Sequence, residues 1–382
     1  MSTIKTGRKV IQILKRNGYE AYFVGGVVRD HLLKMPINDI DITTNAKPHQ
    51  VAKLFDTKPT GLKYGTVTVL FNDEAFEVTT YRIDGISDDH RHPNEVIFSE
   101  TVEEDVKRRD FRINGLIMDE NNEIFDYVGG KADIKAKMIQ TIGDPKERFT
   151  EDALRIMRAF YFQSKLGFQI VKTTREAIEE NRELLKEVAM ERILQELIKI
   201  LKGSHVDKAI HSIVSTRVHE VLPGLKEGIL FTQKNDRMPY VDAFFTLSFA
   251  LYGSVPKEWP FSNVIRYRYQ TASMLANKYT KFDNLTLYTY GLDLCLLANR
   301  VNYLLGRSKN YKQQIEHDFS QLPIQSELDL KLRPQEMVRL ANKKAGAWIH
   351  NTQQKMIEAI LKQELKNEEE ALIDFLMEEI RG

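Results

Sequence analysis

The period of the apolar pattern changes near residue 150, and that change limits the fold more than any other feature of the chain. Before it, apolar runs are short and bounded by turn residues. Ala21 to Val24 reads as a buried strand running into Gly25-Gly26, and Thr66 to Phe71 and Ala75 to Tyr81 read as two strands joined at Asn72-Asp73-Glu74. After it, Ile193, Leu194, Leu197, Ile200 and Leu201 fall at i, i+1, i+4, i+7 and i+8, the stripe of a helix with one buried face. Helical patterns continue to the end, broken by glycine and proline around 203, 223–228, 253–260 and 323. The expected fold is an α+β head followed by an all-α elongated region. The head opens on a helix over residues 5–17 that Asn17-Gly18 closes. A polar, proline-containing stretch from Asp84 to Glu95 reads as a mobile loop, and Asn367-Glu368-Glu369-Glu370 as the solvated start of a last helix that buries Leu372, Phe375, Leu376 and Ile380. At 382 residues, two or more packed units are expected.

Charge and cysteine content narrow the function classes. Lysine plus arginine number 55 and aspartate plus glutamate 54, a net charge of +1, so a nucleic-acid partner would have to meet a local basic surface. Arg300, Arg307, Lys309 and Lys312 form one such stretch and Lys343-Lys344 another, while Tyr267, Tyr269 and Tyr311 could stack on bases or fill the core. A single cysteine, Cys295, rules out a disulfide within the chain and a thiolate metal cluster. No apolar run approaches the roughly 20 residues of a membrane span, and the first residues lack the apolar core of a secretory signal, so no membrane partner and a cytoplasmic location are expected. His317-Asp318 lacks further ligands at metal-binding spacing and reads as helix surface. The pattern leaves the oligomeric state open.

The chemistry concentrates in Val24-Gly25-Gly26-Val27-Val28-Arg29-Asp30 and Asn38-Asp39-Ile40-Asp41-Ile42. Residues two apart in a strand share a face, so Asp39 and Asp41 would present two carboxylates together and call for a cation. Magnesium suits such a pair, because it takes hard oxygen ligands and leaves positions for phosphate oxygens and water. Glu77, in the strand from Ala75, is the candidate third carboxylate. Gly25 and Gly26 would let the backbone approach a triphosphate, and the forked donors of Arg29 would bind a phosphate. Taken alone, the acidic pair also fits a solvated turn, and Gly-Gly before Arg-Asp also fits a tight strand-to-helix turn.

Further motifs follow in order: Arg108-Arg109-Asp110-Phe111-x-Ile113-Asn114, then Asp126-x-x-Gly129-Gly130-x-x-Asp133, then Glu151-Asp152-x-x-Arg155-x-x-Arg158. Together with the glycine and aspartate segments they resemble the bacterial class II CCA-adding enzymes, tRNA nucleotidyltransferases with a polymerase-beta-like head. The resemblance covers the whole chain, including Ile142-Gly143-Asp144-Pro145 and Lys344-Ala345-Gly346-Ala347-Trp348. It implies a nucleotidyltransferase head over 1–142, a helical nucleotide-recognition neck over 143–205, a helical body over 206–305 and a tRNA-binding tail over 306–382. It also implies magnesium, CTP and ATP as substrates, the tRNA 3′ end as acceptor, contacts from Arg109 and Arg158 to the nucleotide, and a part for the loop holding Arg91 and Pro93 in the switch from C to A. The chain departs from the family at Tyr161, where a further arginine is usual. A bacterial poly(A) polymerase and a non-catalytic RNA-binding helical protein are the rival readings.

A helix starting near Glu151 would set Asp152 and Arg155 about 60° apart on one face, with Leu154, Met157 and Tyr161 opposite. Such a pair can accept from the amino group of cytosine or adenine and donate to the adjacent ring nitrogen. Guanine and uracil reverse both polarities, at roughly 1–3 kcal/mol for each mismatched group. The bland reading of the same pair is a helix-surface ion pair.

Overall fold

The computed structural model describes residues 3–37, 39–83, 97–235 and 239–381. Two compact units emerge, Met1–Pro223 with Glu258–Pro260, and Gly224–Lys257 with Phe261–Gly382. The expected loop from Asp84 to Glu95 lies outside the described residues.

The first unit is built on strands β1 (Ala21–Val24), β2 (Asp41–Thr44), β3 (Asp56–Gly61), β4 (Thr66–Phe71), β5 (Glu74–Thr80), β6 (Arg82–Ile83), β7 (Ile97–Phe98), β8 (Leu116–Met118), β9 (Ile124–Asp126), β10 (Met138–Ile139) and β11 (Gln169–Ile170). Seven of them make one sheet in the order β3-β4-β5-β2-β1-β8-β9, while β6 pairs with β7 and β10 with β11. Within the large sheet only β2 and β5 run parallel. The β4–β5 turn places Asn72 and Asp73 at φ 52° and 59°, the positive values a two-residue hairpin needs, so Glu74 begins the strand rather than closing the turn. That turn fixes the register, pairing Thr68 with Glu77, and the parallel ladder pairs Glu77 with Asp41. Alternation then sends Val67, Val69, Phe76 and Val78 into the core.

The α-helices among the described residues of this unit are α1 (Ile4–Arg16), α2 (Gly26–Leu32), α3 (Pro48–Leu54), α4 (Val102–Lys107), α5 (Gly130–Ala136), α6 (Pro145–Glu151), α7 (Leu154–Leu166), α8 (Lys172–Asn181), α9 (Met190–Leu201) and α10 (Val206–Ser215). Thr3 caps α1, accepting from the Thr6 N–H at 3.2 Å, Asn17 ends it, and Val10, Ile11 and Leu14 bury its inner face completely. The stripe expected around 193–201 is α9. Gly203, just past it, lies against α7. A Cβ there would sit 2.0 Å from Ser164 Oγ and 2.7 Å from the Ser164 carbonyl oxygen, and the Ser164 hydroxyl donates to the Ile200 carbonyl at 2.6 Å.

One expected element is corrected. No single helix carries Asp152 and Arg155, because α6 ends at Glu151 and Asp152 takes an extended conformation, φ −150° and ψ 100°. The Asp152 carboxylate accepts from the Leu154 N–H at 3.1 Å, and its carbonyl from the Arg155 N–H at 3.0 Å. A short acidic side chain that bonds to nearby backbone N–H groups competes with helix continuation, and here it starts α7 instead.

Among the described residues the regular elements of the second unit are all helices: α11 (Lys226–Lys234), α12 (Val241–Tyr252), α13 (Asn263–Lys278), α14 (Asn284–Leu304), α15 (Lys312–Ser320), α16 (Pro334–Ala341), α17 (Ala347–Leu361) and α18 (Glu369–Arg381). Helix α12 is apolar nearly all round and lies in its core, with Ala243, Phe244, Phe245, Leu247 and Phe249 fully buried. Cys295 is buried in the same unit, and α18 inserts Leu372 and Leu376, with Phe375 and Ile380 packed alongside. Tyr269 is a core residue whose hydroxyl donates to Asp242 at 2.8 Å, whereas Tyr267 is exposed. No helix among the described residues is long and apolar enough to cross a membrane.

Candidate active site

The face of the sheet opposite its core opens into a cleft of about 770 Å³. Gly25, Gly26, Arg29, Asp39, Asp41, Glu77, Arg109 and Arg158 all line it. Thr68, Glu77 and Asp41 form a row across three strands by their register, and Asp39 lies just ahead of β2. The aspartates are thus brought together at a strand entrance rather than along one strand. Burial pushes the Asp41 carboxyl up to about 6, Glu77 and Asp39 push the same way, and Arg109 opposes them.

Among the described residues, no three His, Cys, Asp or Glu side chains converge as a ready-made metal cage. Asp39 and Asp41 remain as a two-carboxylate donor set, and burial together with the neighbouring carboxylates disfavours the ionised form of Asp41, which a cation would stabilise. A pair of hard oxygen donors with open positions is the set magnesium takes beside phosphates.

Gly25 joins β1 to α2 with φ 72° and ψ −122°, a conformation open to glycine, and a Cβ on it would sit 3.4 Å from Arg109 Nη1. The arginines are held by a polar network under the cleft. Arg29 is buried, its Nε donating to Asp30 at 2.8 Å and its Nη1 to Asn114 Oδ1 at 2.5 Å. Arg158 donates to Asp110 at 2.7 Å, and both guanidinium groups sit over the Phe162 ring, 5.2 and 5.3 Å from its centre. Burial alone would raise the Asp110 carboxyl, but Arg158 and hydrogen bonds from Asn114 and the Phe111 N–H together hold it below the usual range.

Arg109 is aimed by Asp105. That carboxylate is fully buried, accepts from Arg109 Nη2 at 3.0 Å and from Arg108 Nη2 at 2.7 Å, and also bonds the Thr43 hydroxyl and the Arg82 N–H. Burial raises its pKa, and the two guanidinium groups outweigh that and lower it. Sequence reasoning passed over Asp105, Phe162 and Lys165, whose ammonium pairs with Asp30 at 2.9 Å. The order of motifs contains Asp110 and Asn114 but gives no hint of what they hold. The motif acid Asp126 serves structure: its carboxylate accepts from the N–H groups of Val128, Gly129, Gly130 and Lys131 at the start of α5.

Asp152 and Arg155 are not among the residues lining the cleft. Asp152 is paired with Arg192 at 2.9 Å. Arg155 is buried, donating to Glu151 at 2.6 Å and to the Arg108 and Arg148 carbonyls, both at 3.1 Å. The expectation of an exposed polar face opposite an apolar one is corrected accordingly.

Residues 21–140 match the model of the Poly A polymerase head domain, 167–229 that of a probable RNA and SrmB-binding site of polymerase A, and 243–376 that of a putative tRNA nucleotidyltransferase domain 2. The CCA-adding enzyme of Bacillus cytotoxicus is 37% identical over 394 residues, 99% of each chain being covered. The chain belongs to the CCA-adding enzymes. It is accordingly a tRNA nucleotidyltransferase, and the CCA-adding enzyme of Bacillus subtilis is similarly related, 35% identical over 387 residues with 96% of each chain covered. The crystal structure of the Bacillus stearothermophilus CCA-adding enzyme in complex with CTP superposes with a TM-score of 0.86 at 32% identity, over 100% of this chain and 98% of that one. The mixed sheet followed by helices is therefore the fold of a CCA-adding enzyme.

Proposed function

We propose that this CCA-adding enzyme adds C, C and A in turn to the 3′ end of tRNA, from CTP and ATP, without a nucleic-acid template. The chain division behind this reading is a head over 1–142, a neck over 143–205, a body over 206–305 and a tRNA-binding tail over 306–382, at work in the cytoplasm. In each round the terminal ribose 3′ oxygen attacks the α-phosphorus, the bond from that phosphorus to the oxygen bridging to the β-phosphate breaks, and pyrophosphate leaves.

Asp39 and Asp41 would hold magnesium, which supplies charge neutralisation between phosphates and a lower pKa for the attacking hydroxyl. Glu77 is exposed beside Asp41 and is the carboxylate left to take the hydroxyl proton. Gly25 and Gly26 admit the triphosphate to the backbone, and Arg29, Arg109 and Arg158 face it with fixed positive charge. The observation that carries the reading is the register of Asp41 with Glu77, in one cleft with Arg109 and Arg158.

For base choice we assign Asp152 as acceptor of the cytosine or adenine amino group and Arg155 as donor to the ring nitrogen. Both would exchange protein partners for base edges, Asp152 leaving Arg192 and Arg155 leaving Glu151. Incubation with tRNA lacking its 3′ end, CTP, ATP and magnesium, followed by sequencing of the product ends, should give CCA. A long poly(A) product would refute the substrate assignment. Unaltered discrimination against UTP and GTP in both Asp152→Ala and Arg155→Ala would sink the base-reading pair.

A further inference from the structure

Among the described residues, five cations line the cleft, and four of them are strongly committed. Arg29 is pinned by Asp30 and Asn114, Arg109 by Asp105, Arg158 by Asp110 and Lys165 by Asp30. The fifth is Lys199, from α9, which no motif singles out. Its side chain is 50% exposed, against 4% for Arg29, 19% for Arg109, 35% for Arg158 and 30% for Lys165. It is therefore the cation best able to meet a ligand that enters from solvent.

Two contacts hold it in place. Its ammonium donates to Glu196 Oε1 at 2.8 Å, and it lies 5.6 Å from the centre of the Tyr161 ring. Glu196 is buried, and its Oε2 has no hydrogen-bond partner among the described residues. An ammonium has three N–H donors, and among the described residues one is used, toward Glu196, so Lys199 can receive an anion while still bonded to that carboxylate. Tyr161 lines the same cleft beside Phe162 and Lys165.

We propose that Lys199, oriented by Glu196 and the Tyr161 ring, binds a phosphate group of a substrate in the cleft. The inference rests on the reading of this cleft as the nucleotidyl-transfer site. The phosphate belongs either to the incoming nucleoside triphosphate or to the backbone of the RNA end. A lysine is a point charge for phosphate with no demand for planar geometry, so arginine can replace it while a neutral side chain cannot.

The test compares wild type with Lys199→Gln, Lys199→Arg and Tyr161→Leu. CTP is varied at saturating 3′-truncated tRNA, and then the tRNA is varied at saturating CTP. Glutamine keeps a donor for Glu196 but drops the charge. It should raise one KM roughly 5- to 20-fold with kcat little changed, the range for a partly solvated charge-assisted contact. A rise in the CTP KM assigns the triphosphate, and a rise in the tRNA KM assigns the RNA backbone. Lys199→Arg should recover most of the loss, and Tyr161→Leu should show a smaller rise in the same constant. KM values within twofold of wild type for Lys199→Gln would overturn the proposal, as would equal losses in Lys199→Arg and Lys199→Gln. Equilibrium dialysis of CTP, with magnesium present and no tRNA, reads the triphosphate arm without turnover. A wild-type protein that extends no tRNA would refute the assignment of the reaction, whereas an active wild type matched by Lys199→Gln refutes the lysine alone.

Discussion

Asp105→Asn should loosen both the fold of the first unit and the aim of Arg109. The carboxylate is 0% exposed and receives five donors, two of which come from Arg108, with one each from Arg109, Thr43 and the Arg82 backbone. Asparagine keeps the shape, removes the charge and turns one acceptor into a donor facing other donors. Breaking a buried ion pair from one side costs about 3–5 kcal/mol. Here the guanidinium groups of Arg108 and Arg109 are 13% and 19% exposed and can recruit water, which reduces the loss to about 2–4 kcal/mol. For a unit of this size that is a Tm lower by roughly 5–12 °C.

The pH dependence follows from the direction of the shift. The folded-state pKa of Asp105 is depressed below the ordinary value of 3.8, so its contribution is fully present above that value. It is lost as the pH falls through the folded pKa, where the difference between wild type and variant should shrink. With Arg109 no longer aimed, the KM for CTP should rise on the order of tenfold. Thermal unfolding between pH 3 and 8, with steady-state kinetics at pH 8, measures both. A Tm within about 2 °C of wild type, with an unchanged KM, would refute the claim that Asp105 organises this side of the cleft.

Gly25→Ala should fold but lose activity, because alanine at φ 72° carries about 1–3 kcal/mol of strain and its Cβ crowds Arg109; full CTP incorporation by this variant would count against the glycine turn as a phosphate cradle. Apparent magnesium affinity should fall about tenfold between pH 7 and pH 5, since Asp41 titrates near 6 and must lose its proton to bind the ion. Glu77→Gln removes one of the charges that raise Asp41, so it should move that midpoint to lower pH, as seen in magnesium titrations of CTP incorporation. Gly203→Ala drives a methyl group into Ser164 and its backbone, and should destabilise the first unit by about 1–3 kcal/mol in urea denaturation.

Local patterns carried much of this. The strand Ala21 to Val24, the β4–β5 hairpin, the stripe of α9 and the buried face of α18 were legible because each depends on periodicity and turn chemistry within a few residues. The glycines, aspartates and arginines of the cleft were legible as types in a certain order. The break at Asp152 was not, because helical spacing counts positions and does not register a carboxylate that captures the next N–H groups.

What the sequence determined by itself was the class of fold and the kind of chemistry: strands then helices, a carboxylate pair, a glycine turn, and arginines for phosphate. Only the tertiary structure decided which charges are free to act. It placed Glu77 beside Asp41 through a parallel ladder between strands separated by a hairpin and a helix, and it buried Asp105 and Asp110 beneath Arg109 and Arg158. It also carried Lys199 into the cleft from a helix some forty residues beyond the last motif arginine. Such pairings follow from sheet register and helix packing, which bring distant segments together and leave no mark in the spacing of either one.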